Sequence, residues 1–172
     1  MNLTTSLAGL CGAILLATLS VAGPQATPKK LRVGTYDSRA VAVAYAASSY
    51  NPVGEKMAEM RKAKAANDTA RIAELEAWGA KHQRQLHRQG FGHVPVDDLL
   101  AHVKAKRPDA AAKAGVDVIV FDCDYASAEV EVVDVTDALV ALYDPSQKTL
   151  DTVAEMKKHA PIELDEIEQM KD

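Results

Sequence analysis

Cysteine is nearly absent from this chain, and charge is wholly absent from its first 28 residues. Cys11 and Cys123 are the only cysteines, so a disulfide framework is excluded and stability must come from packing or association. Before Lys29 there is no charged side chain, and Leu7 to Ala22 is almost wholly small or apolar, ending in Ser20-Val21-Ala22 ahead of Gly23-Pro24. This reads as a secretory signal over residues 1–22, with Ser20 and Ala22 at the small-residue positions of a cleavage site. A basic n-region is also missing, which keeps an uncleaved N-terminal membrane anchor as the alternative. The apolar run of about 16 residues is short of the roughly 20 needed to span a bilayer, so no stable membrane span is expected after cleavage. The expected location is periplasmic or otherwise exported. Leu10 precedes Cys11 where a lipoprotein signal would carry a small residue, which argues against lipidation. Cleavage leaves Cys123 alone, either as a buried free thiol or in an intermolecular bridge.

An excess of basic residues is lacking too. The chain has 20 Lys and Arg against 24 Asp and Glu, a formal net charge of -4, all of it after the apolar segment. Nucleic acid is therefore not an expected partner. No Gly-rich phosphate loop, Ser-His-Asp order or Cys-pair metal motif occurs, and no cofactor is expected. The exported part, about 150 residues, suits one domain with a modest core.

What remains is dense in structural punctuation. Leu31 to Tyr36 alternates as a strand does, Asp37-Ser38 caps a following Ala-rich helix over Arg39 to Ser48, and Asn51-Pro52 opens the next. From Val53 to Gly90 the composition shifts to helix formers. Val53, Met57 and Met60 form one apolar stripe, and Ile72, Leu75, Gly79, His82 and Leu86 another, with a turn at Asn67-Asp68-Thr69 between them. An antiparallel helical hairpin over about 53–90 follows, with arms of about 14 to 20 residues, projecting roughly 20 to 30 Å. Gly90 and Gly92 end it, and Val96 to Leu100 starts another helix behind Asp97. Arg107-Pro108-Asp109 opens a short helix that Gly115 stops in the left-handed conformation. Val116 to Phe121 reads as a buried strand by its β-branched content, and Glu129 to Val133 as a half-exposed one. Asp134-Val135-Thr136-Asp137 caps a helix over Ala138 to Tyr143. The tail is helical from Ser146 to Lys158, breaks at Pro161, and ends acidic and frayed.

Two clusters could carry chemistry. Phe121-Asp122-Cys123-Asp124-Tyr125 leaves an apolar strand, the setting in which haloacid-dehalogenase-like phosphatases place a nucleophilic Asp and a second Asp two residues on. Only 47 residues follow Tyr125 to supply the rest of such a site, so a polar strand exit is the plainer reading. Tyr36-Asp37-Ser38-Arg39 is the second cluster. If the strands of Leu31 and Val118 lie side by side and parallel, Asp37 and Arg39 approach Asp122 and Asp124 and form a small polar pocket. In the plainer reading, Asp37 or Ser38 caps the helix and Arg39 pairs with an acid. His82, His87 and His93 step by more than helical metal pairs allow, so no metal site is expected. Met57, Met60 and Trp78 could grip apolar clients or pack the two helices on each other.

The segments Ala114-Gly115-Val116-Asp117-Val118-Ile119-Val120-Phe121-Asp122 and Val133-Asp134-Val135-Thr136-Asp137-Ala138-Leu139-Val140 carry a family resemblance. They match the closing strand and the Asp-Val-Thr-Asp step into a last helix of the periplasmic Skp or OmpH-like chaperones. With the N-terminal strand and helical excursion, the resemblance spans about Leu31 to Tyr143 in order. It implies an α/β (α+β) fold, a small sheet body with an inserted antiparallel hairpin, over residues 27–145; the helical acidic tail over 146–172 runs past the family's usual end point. It further implies a homo-trimer whose arms surround a cavity for unfolded outer-membrane or envelope proteins. The hairpin here is shorter than the family's arms and the charge is acidic. The expected function is that of an exported, non-enzymatic protein that self-associates and binds other proteins. A small hydrolase or ligand-binding domain using Asp37, Arg39, Asp122 and Asp124 is the alternative.

Overall fold

A computed structural model describes residues 29–170, and the secretory-signal reading of residues 1–22 lies outside the described residues. The chain is mixed α/β. It opens with β1 (Leu31–Thr35), α1 (Ser38–Ala46), α2 (Val53–Ala66), α3 (Thr69–Phe91) and α4 (Asp97–Ala101). A 3-10 turn at Lys104–Lys106 leads into α5 (Arg107–Ala114), β2 (Val118–Ile119) and β3 (Val130–Asp134). Then come α6 (Thr136–Val140), a second 3-10 turn, α7 (Gln147–Met156) and α8 (Leu164–Gln169). Among the described residues, no helix is long and apolar enough to cross a membrane.

Local chemistry sets most of these boundaries. The Asp37 carboxylate accepts from the Arg39 amide and starts α1, where β1 has run out. Between α2 and α3, Asn67 takes the left-handed conformation (φ 53°) and Asp68 accepts from the Arg71 amide, so the turn needs two residues. Glu59 on α2 pairs with Arg71 on α3, holding the two helices against each other beside this turn. Gly115, at φ +67°, ends α5 where an added Cβ would lie 2.6 Å from the Arg32 guanidinium. The second helix is longer than its sequence signals indicate. Gly90 does not stop α3, because a glycine inside a helix costs only about 1 kcal/mol, and the helix runs to Phe91 with Gly92 as its cap.

The sheet is parallel throughout, in the order β2-β1-β3. Val33 pairs with Val118 and with Val132, and Thr35 with Asp134. Since partners in register share a face, Arg32, Gly34, Ile119, Glu131 and Val133 look one way, while Leu31, Val33, Val118, Val130 and Val132 look the other. The first face closes on the core, with Ile119 and Val133 packed against the core cluster. Fully buried Val41, Val96 and Leu139 anchor that core, each contributing about 1.5–3 kcal/mol by burial. None of the five apolar side chains on the second face joins the core cluster.

Two sequence expectations need correction. The buried strand over Val116 to Phe121 is only the two-residue β2, with Val118 43% exposed. It sits at the sheet edge, and among the described residues it pairs only with the five-residue β1. As far as the described residues run, the tail is packed on the body rather than frayed. α7 packs on α1 through buried Val153, and the Ile162 amide donates to the Phe91 carbonyl (2.9 Å) to bring α8 onto α3. Ile167 is buried there, with Leu164 and Ile167 side chains crowding Gly92.

At Gly34 the middle strand is approached closely by the residues just before β2 and just after β3. A Cβ at this position would meet the Val135 methyls at 2.8 and 3.0 Å and a Val116 methyl at 3.3 Å. Overpacking of this kind costs about 1–3 kcal/mol. Gly34→Ala should therefore lower the midpoint of thermal unfolding by several degrees, measured by circular dichroism, and an unchanged midpoint would show that Val135 yields freely.

Candidate functional site

An apolar groove of about 790 Å³ lies between α1, α2 and α3. Its walls are Val43 and Ala46 from α1, Val53, Met57 and Met60 from α2, and Leu75, Trp78, Leu86 and Phe91 from α3. The helical stripes explain its origin. Nearer the turn of the pair, Ala63 and Leu75 are buried, whereas Met57 is 58% and Phe91 42% exposed. Gly79 and Gly90 lie on α3 along the groove, and a Cβ at either would meet nothing within 4 Å, so the groove is wide there. Met57, Met60 and Trp78 thus share one apolar surface. Methionine suits such a surface because its unbranched side chain adapts to partners of irregular shape. Val43, Ala46 and Phe91 escaped the sequence reading, since α1 is apolar on several faces and Phe91 follows the Gly90 that reads as a stop.

The four polar candidates at the strand ends do not form one pocket: Asp37 and Arg39 pair with each other, and Asp122 pairs with His93 instead. β1 and β2 are indeed neighbours and parallel, and the Tyr36 and Phe121 rings meet edge-on at 6.0 Å. Asp37 and Arg39, however, face each other, with Nη2 to Oδ2 at 2.7 Å and Nε to Oδ1 at 3.0 Å, and Arg39 also donates to the His159 carbonyl. The Arg39 side chain is only 7% exposed. Asp122 pairs with His93 (3.2 Å) and accepts from the Cys123 amide, and these bonds hold its carboxyl below the usual range. Asp124 is exposed. Among the described residues, no ion pair or hydrogen bond joins Asp37 or Arg39 to Asp122 or Asp124. Cys123 is half-exposed rather than buried, its thiol 3.3 Å from the Tyr125 carbonyl, because the segment after β2 leaves the sheet and lies on the surface.

The histidines have aromatic and polar neighbours. His82 stacks on Trp78 and contacts the Asn51 side chain at 3.1 Å, while His93 stacks on Phe121. Among the described residues, no group of three His, Cys, Asp or Glu is placed to hold a metal ion.

The Asp-Val-Thr-Asp step builds the most connected polar cluster. The Thr136 hydroxyl accepts from the Asp37 amide (2.9 Å) and donates to Asp134, whose carboxylate also accepts from the Thr136 amide (2.8 Å). Three elements meet at this one buried side chain: the end of β1, the end of β3 and the start of α6.

In comparisons with known proteins, no family model, curated protein or solved structure matches the chain.

Burial would raise the Asp134 carboxyl, but the Thr136 hydrogen bonds and the Lys157 ammonium outweigh it and hold its pKa below the ordinary value. A carboxyl depressed in the folded state contributes stability above its unfolded pKa and loses it as pH falls through the folded value. Stability should therefore hold steady above about pH 5 and decline below about pH 4. Thr136→Val should flatten this decline as well as lowering stability at neutral pH. Urea unfolding at a series of pH values measures both, and an unaltered acid limb in the variant would contradict the assignment.

Proposed function

We propose that this is an exported, non-enzymatic binding protein, similar in plan to the Skp or OmpH-like chaperones, that associates with itself and holds apolar segments of other proteins. The observation that carries the reading is the apolar groove of about 790 Å³ with Met57, Met60 and Trp78 along it. A surface of that size and adaptability suits extended or helical apolar segments of varied sequence. The resemblance supplies the client class, unfolded outer-membrane or envelope proteins, and the trimer. The helix pair α2 and α3, which follows β1 and precedes β2 in the chain, supports this reading.

Self-association is supported by the sheet. All-parallel sheets are almost always covered on both faces. Here one face closes on the core, while Leu31, Val118 and Val132 on the other are 47%, 43% and 45% exposed. The open face is apolar, carrying Leu31, Val33, Val118, Val130 and Val132 in register. A second copy presenting the same face would remove that surface from water.

The groove assignment is tested by diluting a urea-unfolded, aggregation-prone outer-membrane protein into buffer with the full-length chain and following light scattering. The chain should suppress aggregation at near-stoichiometric ratios. The double substitution Met57→Glu, Met60→Glu should raise the concentration needed about tenfold, the effect of losing ~1.4 kcal/mol of apolar contact. No suppression by the wild type, or equal suppression by the variant, overturns the reading.

A further inference from the structure

We infer that the pocket beside α3, framed by Tyr45, Tyr50, Trp78, His82, His102 and Asp98, binds an alkylammonium cation. Trp78 lies between it and the apolar groove and lines both, but this inference is independent of what the groove holds. The chain has one Trp, five Tyr and two Phe, so three of its eight such aromatics converge on a single cavity of about 340 Å³. That volume lies at the small end of the range for small-molecule sites.

The rings are held in place before any ligand arrives. Tyr45 and Tyr50 each stand edge-on to Tyr143, at centroid distances of 6.3 and 6.0 Å, and the Tyr143 hydroxyl is anchored on the Leu99 carbonyl at 2.9 Å. The His102 ring lies 5.3 Å from Tyr45 and 5.7 Å from Tyr50, filling the space between them. On the opposite wall, Trp78 and His82 stack at 4.8 Å. Such faces carry partial negative charge and attract cations. Lys106, placed 6.0 Å from the Tyr50 ring centre, already makes one contact of this type within the protein.

Asp98 supplies the full charge. It is the only acidic residue lining the pocket, and its two oxygens accept from the neutral amides of Gln85 (2.6 Å) and Gln89 (2.8 Å). These amides orient the carboxylate without neutralising it, and no described cation pairs with it. Burial holds the His82 imidazole below its usual pKa, so it adds no opposing charge at neutral pH. The lining also selects among cations. A hard metal ion needs about six oxygen ligands, and a primary ammonium needs acceptors for three N–H groups. One carboxylate among rings fits a cation that carries methyl groups and has no N–H to satisfy, a quaternary ammonium.

Trp78, as the sole tryptophan, reports on its own pocket. Titration of the full-length protein with tetramethylammonium chloride should give a saturable change in Trp fluorescence, absent with sodium chloride at equal ionic strength. Asp98→Asn and Tyr50→Leu should each weaken binding about tenfold. Asp98 is exposed, so its variant keeps the fold even if Tyr50→Leu does not, which circular dichroism checks. Choline chloride and phosphatidylcholine vesicles then distinguish the sources. Saturation by free choline identifies a soluble ligand, whereas co-sedimentation with phosphatidylcholine but not phosphatidylglycerol vesicles identifies a lipid headgroup. A response no different from that to sodium chloride, or folded variants that bind as tightly as wild type, overturns the inference.

Discussion

The hydroxyl of Thr136 is the joint on which the rest of the molecule hangs. It accepts from the amide of Asp37 at the exit of β1 and donates to Asp134 at the exit of β3. Parallel strands have no hairpin to fix their register, so their alignment depends on contacts made after each strand ends. Here one side chain, 1% exposed, makes those contacts for both. Asp37 in turn caps α1 and clamps Arg39, which reaches the His159 carbonyl beyond α7. The polar cluster thus links the sheet to its covering helices and brings the C-terminal segment back onto the body. An unpaired buried donor or acceptor at this joint would cost about 1–3 kcal/mol.

With the register fixed, the division between closed and open surfaces follows. Gly34 lets Val135 and Val116 approach the sheet on one side, and the helices fill that side. The remaining apolar surface is then distributed over the outer sheet face and the groove between α1, α2 and α3. Both are consequences of a short sheet carrying a longer helical insertion: three strands cannot cover what the 14 residues of α2 and 23 residues of α3 present. These two surfaces are the physical basis for reading the protein as one that works by association.

Much of this was legible in the sequence wherever a residue acts on its own neighbours. Asp37, Asn67-Asp68, Gly115 and Ser146 mark element ends through local hydrogen bonds or a left-handed backbone, and each does so in the structure. The alternation at Leu31 and at Val130 also marks real strands. Properties that depend on distant partners were not legible. The β-branched run from Val116 has the composition of a buried strand, yet its burial depends on helices that cover only the other face. The acidic tail reads as solvated, yet Ile162, Leu164 and Ile167 find Phe91 and Gly92 some 70 positions away along the chain. Asp37 and Asp122 follow neighbouring parallel strands, as the pattern indicates, but Arg39 and His93 claim them separately. The meeting of Tyr45, Tyr50 and Trp78 had no local signal beyond the scarcity of aromatics.

The open sheet face is the central claim, and the mass of the full-length chain in solution tests it most directly. Multi-angle light scattering at about 50 µM should give a multiple of 18.4 kDa for the wild type. Val132→Lys places a charge at the middle of the open face without touching the core, and should shift the population to the 18.4 kDa monomer. Because only the sheet face is altered, this shift separates its contribution from that of the apolar N-terminal segment. A wild type that is monomeric at that concentration, or an oligomer that Val132→Lys leaves intact, would contradict the account.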